Sequence, residues 1–317
     1  MSKSDGYFEV ARVDADIGHE EFRKSFVEPE LPVIVQGVGR HWPARKKWTA
    51  TYLQSSLCGA PKVQHHVVYY LMTTDALRED YDLPQVVSKL LNCPSVFPQE
   101  MNTRIWLNRG GNVSHWHYDA DIMSVFNAQI KGRKQWRLIS PDTPPPCYPF
   151  SNFAVFDDES RILRNKRHTM FTLEEGDMLY VPPLWFHSVA ALDEENINLN
   201  WTFTKRETQV KSRTLTRQIE SYVVHRYFER HPVAPIRQIY AWFLEMFPAY
   251  LVIAWRYDDL MDSPVDCSLT TLVGRVFKEL GMLGKTLLSI PRMRAYLKTL
   301  DTMPGLDEST GNRSAAR

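Results

Sequence analysis

Apolar runs of strand length, one of them with clear two-residue alternation, predict that the first 200 or so residues form mainly β-strands. Residues 197–203 place Asn198, Asn200 and Thr202 on one face of a strand and apolar side chains on the other. Further runs rich in β-branched and aromatic residues predict strands at 31–37, 62–71, 104–107, 124–126, 134–139 and 171–181, the last interrupted by a turn at 175–177. This pattern predicts a mainly β fold.

Helical spacing of apolar residues occurs in short N-terminal segments and again after residue 209. The predicted helices are 20–27, 48–57 and 83–91 in the N-terminal part, and 215–227, 236–247, 272–283 and 293–300 after it. Residues 1–19 are polar, which predicts a loosely ordered segment at the start of the chain. We therefore divide the chain into a β core with its N-terminal flank at 1–204, a helical region at 205–305 and a disordered tail at 306–317.

Composition indicates a globular protein without a strong charge. The 317 residues carry a net charge of +1, which gives no global argument for nucleic acid or membrane binding. The four cysteines lack Cys-x-x-Cys spacing and predict reduced thiols in the cytoplasm and/or nucleus. No apolar signal segment opens the chain, and the most apolar run, 240–255, is too short to span a bilayer. We therefore expect no membrane partner.

Candidate metal ligands lie in the segment 115–121. His117 and Asp119 are two residues apart, so in a strand their side chains point the same way and can reach one metal. A helix would separate them by about 200°. His187, in a later strand-like run, would supply a third ligand from a neighbouring strand. Two histidines and one carboxylate form the ligand set of non-haem Fe(II) oxygenases, which leaves coordination positions open.

The pattern leaves alternatives open at this site. His115 shares the parity of His117 and Asp119, so it could be the ligand itself or a residue that supports the ligands. A lone His-x-Asp pair is more often a surface pair than a metal site. That interpretation loses ground because Lys134, directly after a glycine turn, and then His187 follow in the chain.

These segments together resemble the JmjC (jumonji C) family of cupin-fold oxygenases, which use Fe(II) and 2-oxoglutarate. The stretch GNVSHWHYD at 111–119 is similar to the asparaginyl-hydroxylase branch, although a threonine stands there at the place of Ser114. The step of seventeen residues from His117 to Lys134 is more similar to the lysyl-hydroxylase branch. The resemblance covers roughly residues 20–204.

The resemblance implies a double-stranded β-helix (jelly-roll or cupin) core with N-terminal flanking helices and a C-terminal helical region. It implies that iron is bound by His117, Asp119 and His187. It also implies that the far carboxylate of 2-oxoglutarate pairs with Lys134. The other polar residues that it places in the cosubstrate pocket are Ser114, Asn127 and Asn200.

The activity implied by the resemblance is hydroxylation of a protein side chain, with O2 consumed and succinate and CO2 released. Hydroxylation of a modified tRNA base, lysine demethylation and a cupin-fold binding protein without catalysis are alternatives, and the intact ligand set disfavours the last.

The helical region between 236 and 255 is apolar nearly all round. It predicts either helices packed on one another within the chain or a homodimer through the C-terminal helices.

Overall fold

The computed structural model describes residues 6–57, 62–63, 67–70, 75–91, 103–119, 123–148, 152–203, 212–214, 227–245, 273–274, 277, 288 and 290–295. In this part of the chain the strands are β1 (Ala11–Asp14), β2 (Val33–Gln36), β3 (Lys62–Val63), β4 (Val67–Tyr70), β5 (Thr103–Asn108), β6 (Val113–His117), β7 (Ser124–Lys131), β8 (Lys134–Ile139), β9 (His168–Leu173), β10 (Met178–Val181), β11 (Phe186–Ala191) and β12 (Asn196–Phe203).

The strands form two sheets that enclose a cavity between them. The larger sheet has the order β1-β2-β10-β7-β12-β5-β4-β3, and the smaller has the order β6-β11-β8-β9. Neighbouring strands are antiparallel except β1 and β2, which run parallel. This arrangement confirms the prediction of a mainly β, jelly-roll core.

Helices occur in the N-terminal part of the chain, between β8 and β9, and after β12. The helices are α1 (His19–Phe22), which continues into a turn of π-helix at Arg23–Val27, α2 (Ala44–Lys47), α3 (Ala50–Ser56), a 3-10 helix at Asp75–Asp80, α4 (Gln85–Leu91), α5 (Glu159–Leu163) and α6 (Ala234–Glu245). No helix in the described part of the chain has the length and apolar character that crossing a membrane requires.

Two predictions differ from the structure. The N-terminal segment predicted to be loose contains β1, because its backbone pairs with β2 even though its side chains are mostly exposed. The strand predicted over 62–71 is divided into the antiparallel pair β3 and β4. Helix α6 confirms most of the helix predicted at 236–247.

The other predicted C-terminal helices lie largely outside the described residues. Of the helices predicted at 272–283 and 293–300, only isolated positions and the turn up to residue 295 are described, and 215–227 is described only at its last residue. The tail 306–317 is also outside the described residues. The division of the chain near residue 204 stays a prediction.

The larger sheet separates an apolar core from the polar cavity. Its outer face buries side chains such as Ile105, Phe126 and Trp201 against the flanking helices, which contribute Phe22 and Trp48. Because side chains alternate along each strand, the opposite face of the same strands carries polar groups. The polar groups on this inner face are Arg104, Asn108, Asn127, Asn198, Asn200 and Thr202.

Candidate metal centre

Three side chains converge at one end of the cavity. The ligand atoms of His117, Asp119 and His187 all lie within 4.8 Å of one another. The imidazole centroids are 4.3 Å apart, and Nε2 of His187 is 3.9 Å from Oδ2 of Asp119. Two metal–ligand bonds of roughly 2.0–2.2 Å hold a pair of ligand atoms no more than about 4.4 Å apart, so small side-chain rotations suffice to close this group around one ion. The group can therefore share one metal ion.

Strand pairing explains why these residues meet. β11 runs antiparallel to β6, and His187 lies directly opposite His117. Directly opposed residues on an antiparallel pair project their side chains to the same face. Asp119 follows just beyond the end of β6 with the same parity. The structure thus brings together the ligands that the sequence placed on one strand and on its neighbour.

Backbone carbonyls orient both imidazoles. Nδ1 of His117 donates to the carbonyl of His115 at 2.7 Å, and Nδ1 of His187 donates to the carbonyl of Trp185 at 3.1 Å. Since a carbonyl can only accept, each Nδ1 carries a proton, which leaves the lone pair on Nε2 whenever the imidazole is neutral. Burial, together with neighbouring His187, lowers the pKa of His117 to about 3. The imidazole is therefore neutral, as metal ligation requires.

The imidazole of His115 is occupied elsewhere. Its Nε2 donates to the carbonyl of Ala154 at 3.1 Å, and its ring stacks on Phe156 at a centroid distance of 3.7 Å. Burial lowers its pKa to about 4. Of the two alternatives for His115, the geometry favours the supporting one, because its carbonyl orients His117 while its ring lies outside the converging group.

The other end of the cavity holds a buried lysine. Lys134 is 5% exposed, and its Nζ donates to Oδ1 of Asn108 at 2.6 Å and to Oδ1 of Asn198. Burial lowers the pKa of Lys134 to about 7. Both hydrogen-bond partners are neutral amides, and a buried ammonium is costly without an opposite charge. This end of the cavity therefore favours an anion.

The remaining predicted site residues line the same cavity. Ser114, Asn127 and Asn200 border it together with Lys134 and the three converging side chains, around roughly 730 Å³ of free space that is partly open to solvent. Asn127 is 3% exposed, and its Oδ1 accepts no hydrogen bond within the described residues. A buried acceptor of this kind is costly unless a ligand or water donates to it. The interior is suited to a polar ligand.

The sequence interpretation did not assign several residues of the cavity wall to the pocket. Among these residues are Arg104, Trp106, Asn108 and Asn198. The signal for them was the two-residue alternation of β5 and β12, because Asn198 lies opposite Trp106 and Asn200 lies opposite Arg104 across these strands. The resemblance placed Asn200 in the pocket, and alternation along the same strand extends that placement to Asn198.

Comparison with known proteins concerns the segment that carries this site. Residues 59–209, which include every strand from β3 to β12, match the family model of the Cupin-like domain. The arginine-specific demethylase JMJ22 of Arabidopsis thaliana is 27% identical over 228 residues, which cover 60% of this chain and 45% of that protein. The lysine-specific demethylase 8 of Xenopus tropicalis is 25% identical over 220 residues, covering 55% of this chain and 48% of that protein.

A third relative adds a second activity to the group. The bifunctional arginine demethylase and lysyl-hydroxylase psr-1 of Caenorhabditis elegans is 23% identical over 230 residues, covering 57% of this chain and 58% of that protein. The chain spans about half the length of these curated relatives. The converging ligands and the buried lysine lie inside the matched segment. Residues 59–209 thus match a Cupin-like domain, and the chain is similar to JmjC-type demethylases and hydroxylases.

Proposed function

We propose that this protein is an Fe(II)- and 2-oxoglutarate-dependent dioxygenase that hydroxylates a protein side chain, consuming O2 and releasing succinate and CO2. One observation carries the proposal. A single cavity has a group that can hold a metal, His117, Asp119 and His187, at one end and the buried cation Lys134 at the other. A small dicarboxylate that coordinates a metal through one end fits both.

The donor set fits Fe(II). Two neutral imidazoles and one carboxylate form the facial set that non-haem iron oxygenases use, and it leaves positions for further ligands. When bound, Fe(II) with 2-oxoglutarate supplies the activation of O2 for insertion of oxygen into a C–H bond. The carbonyls that accept from Nδ1 of His117 and His187 keep each Nε2 directed toward the ion.

The opposite end fits the far carboxylate of 2-oxoglutarate. Asn108 and Asn198 hold the Lys134 ammonium in place without neutralising it. A carboxylate there would form a charge-assisted hydrogen bond in a buried setting. Ser114, Asn127 and Asn200 would add neutral polar contacts from the surrounding walls. The protein would thus position the cosubstrate between the two ends of the cavity.

The relatives support a protein substrate. Those named above are described as arginine or lysine demethylases, and psr-1 also as a lysyl-hydroxylase. The test is mass spectrometry of extract proteins incubated with Fe(II), 2-oxoglutarate and either wild-type protein or His187→Ala. We expect one side chain to gain an oxygen atom with the wild type alone. Loss of a methyl group from a protein would identify the activity as demethylation instead of hydroxylation. Modification confined to tRNA would contradict a protein substrate.

We also propose that α6 forms part of a homodimer interface. Ile239 and Trp242 are three residues apart on this helix and are 65% and 62% exposed, whereas Tyr240 is buried. Two large exposed apolar side chains on one helix face suit an isologous contact between copies. We expect light scattering to show a dimer at micromolar concentration, an Ile239→Asp/Trp242→Asp variant to be monomeric, and Gln238→Asp to remain dimeric. A monomeric wild type would contradict the dimer and favour a helical bundle within the chain.

A further inference from the structure

A segment distant in sequence covers the free side of β6. Residues 152–156, here called the strap, run antiparallel to the end of β6 and its continuation. The backbone N–H of Ala154 donates to the carbonyl of Trp116 at 2.8 Å, and the N–H of Tyr118 donates to the carbonyl of Asn152 at 3.2 Å. Phe153 lies opposite His117 in this pairing. The metal-binding motif is therefore held between β11 on one side and the strap on the other.

Asn152 contacts the residue that separates the two local ligands. Its Nδ2 donates to the carbonyl of Tyr118 at 2.5 Å, while its own carbonyl accepts from the N–H of Tyr118. Asn152 is only 9% exposed, so these bonds are largely shielded from water. Both backbone polar groups of Tyr118 are thus fixed by one residue. Regular pairing of β6 ends at His117, which leaves the direction of Asp119 dependent on Tyr118.

Phe153 extends the row of rings at the metal centre. Its ring is nearly parallel to that of His117, at a centroid distance of 5.1 Å and an angle of 15°. His187 lies at 4.3 Å on the other side of His117. Directly opposed residues share a face of the sheet, so the pairing of Phe153 with His117 produces this contact. The strap thereby also limits the rotation of the His117 imidazole.

We infer that Asn152 is a positioning residue for the metal centre. By holding the backbone of Tyr118, it keeps the Asp119 carboxylate on the same side as the His117 imidazole. The inference rests on the proposed function, because it presupposes that His117, Asp119 and His187 bind a divalent metal. Partners that orient metal ligands typically change metal affinity by about 10- to 100-fold when they are replaced.

Titration of the full-length protein with Co(II), followed by visible absorption, tests the inference. Asn152→Ala removes the side chain, and Asn152→Asp keeps its shape but replaces the donor by an acceptor at pH 8. We expect both variants to bind Co(II) about 10- to 100-fold more weakly and to show altered absorption bands, since these bands report ligand geometry. Asp158→Ala is the control, because Asp158 caps α5 in the same connection through the N–H of Ser160 and does not hold Tyr118.

Thermal unfolding of the metal-free proteins separates positioning from folding. We expect the Asn152→Asp protein to be folded and weakened in metal binding alone. If Asn152→Asp binds Co(II) with the affinity and spectrum of the wild type, or if both Asn152 variants are unfolded without metal, the inference is overturned. If the wild type binds no Co(II), the proposed metal centre fails, and the inference fails with it.

Discussion

The two ends of the cavity are organised in opposite ways. At the metal end, backbone carbonyls orient His117 and His187, and burial keeps the pKa of His117 low, so the His117 imidazole is neutral before a metal arrives. At the other end, neutral side-chain amides hold Lys134, whose burial lowers its pKa to about 7. The first end suits a cation, and the second suits an anion.

This difference constrains the ligand more than either end does alone. A metal at the His117 end and an ammonium at the Lys134 end both favour negative charge between them. A neutral ligand would leave the Lys134 charge without compensation, which is costly in a buried site. A dicarboxylate satisfies both ends at once. Variants at each end should therefore fail in different measurements.

Removing a ligand at the metal end should have the largest effect. We expect His117→Ala, Asp119→Ala and His187→Ala each to lose Fe(II) binding at micromolar metal, because two remaining protein donors hold the ion too weakly. Anaerobic calorimetric titration with Fe(II) would measure this.

The matched control is His115→Ala. Its backbone carbonyl still accepts from His117, and its ring bonds to Ala154 rather than pointing at the converging ligand atoms. We expect it to retain iron. Iron binding lost in His115→Ala but retained in His117→Ala would show that the wrong histidine has been assigned.

Removing the cation at the other end should spare the metal and weaken the cosubstrate. We expect Lys134→Ala to raise the 2-oxoglutarate KM by about tenfold or more, since a charge-assisted hydrogen bond contributes about 1.5–3 kcal/mol. Succinate release titrated against 2-oxoglutarate would measure it, with Fe(II) affinity as the control. An unchanged KM would mean that the cosubstrate is anchored elsewhere.

The two ends should also differ in pH dependence. The pKa of Lys134 is lowered to about 7, so above that pH the free protein loses the charge that attracts the carboxylate. We expect 2-oxoglutarate affinity to be highest below pH 7 and to fall as pH rises, by up to about tenfold per unit. Calorimetric titration of the Mn(II)-loaded protein from pH 6 to 9 would follow this fall. Lys134→Arg stays charged throughout and should flatten the dependence; an equal slope in both proteins would contradict the assignment.

The neutral residues of the wall should matter least. Ser114→Ala and Asn127→Ala each remove one neutral hydrogen-bonding group from the cavity. A neutral hydrogen bond contributes about 0.5–1.5 kcal/mol, so we expect the 2-oxoglutarate KM to rise by only about two- to tenfold. The same succinate assay would rank them against Lys134→Ala. A larger increase in KM than that caused by Lys134→Ala would contradict the assignment of Lys134 as the main contact of the cosubstrate carboxylate.

Alternation along strands accounts for what the sequence predicted well. It placed His117 with Asp119, and Asn198 with Asn200, because parity in a strand determines which face a side chain occupies. The role predicted for Lys134 depended on the family resemblance. The structure brings both Lys134 and His187 to the cavity. Location of the protein in the cytoplasm or nucleus stays a prediction.

Contacts between distant segments account for what the sequence could not show. Alternation alone could not distinguish His115 from His117 as a metal ligand. In the structure, Nε2 of His115 donates to the carbonyl of Ala154 in the strap, 39 residues away. The role of Asn152 likewise depends on how that connection folds back on Tyr118. β1 was missed because its four residues are too few for their alternation to predict a strand and only Val13 among them is partly buried; its pairing with β2 defines it.

The central claim is that one cavity couples a metal to 2-oxoglutarate. Its most direct test is simultaneous measurement of O2 consumption and succinate formation by the purified protein with Fe(II) and 2-oxoglutarate, beside His117→Ala. We expect the wild type to consume O2 and form succinate in equal amounts, even without a substrate protein, and His117→Ala to do neither. Succinate formation that persists in His117→Ala, or its absence from the wild type in the presence of cell-extract proteins and tRNA, would contradict the account.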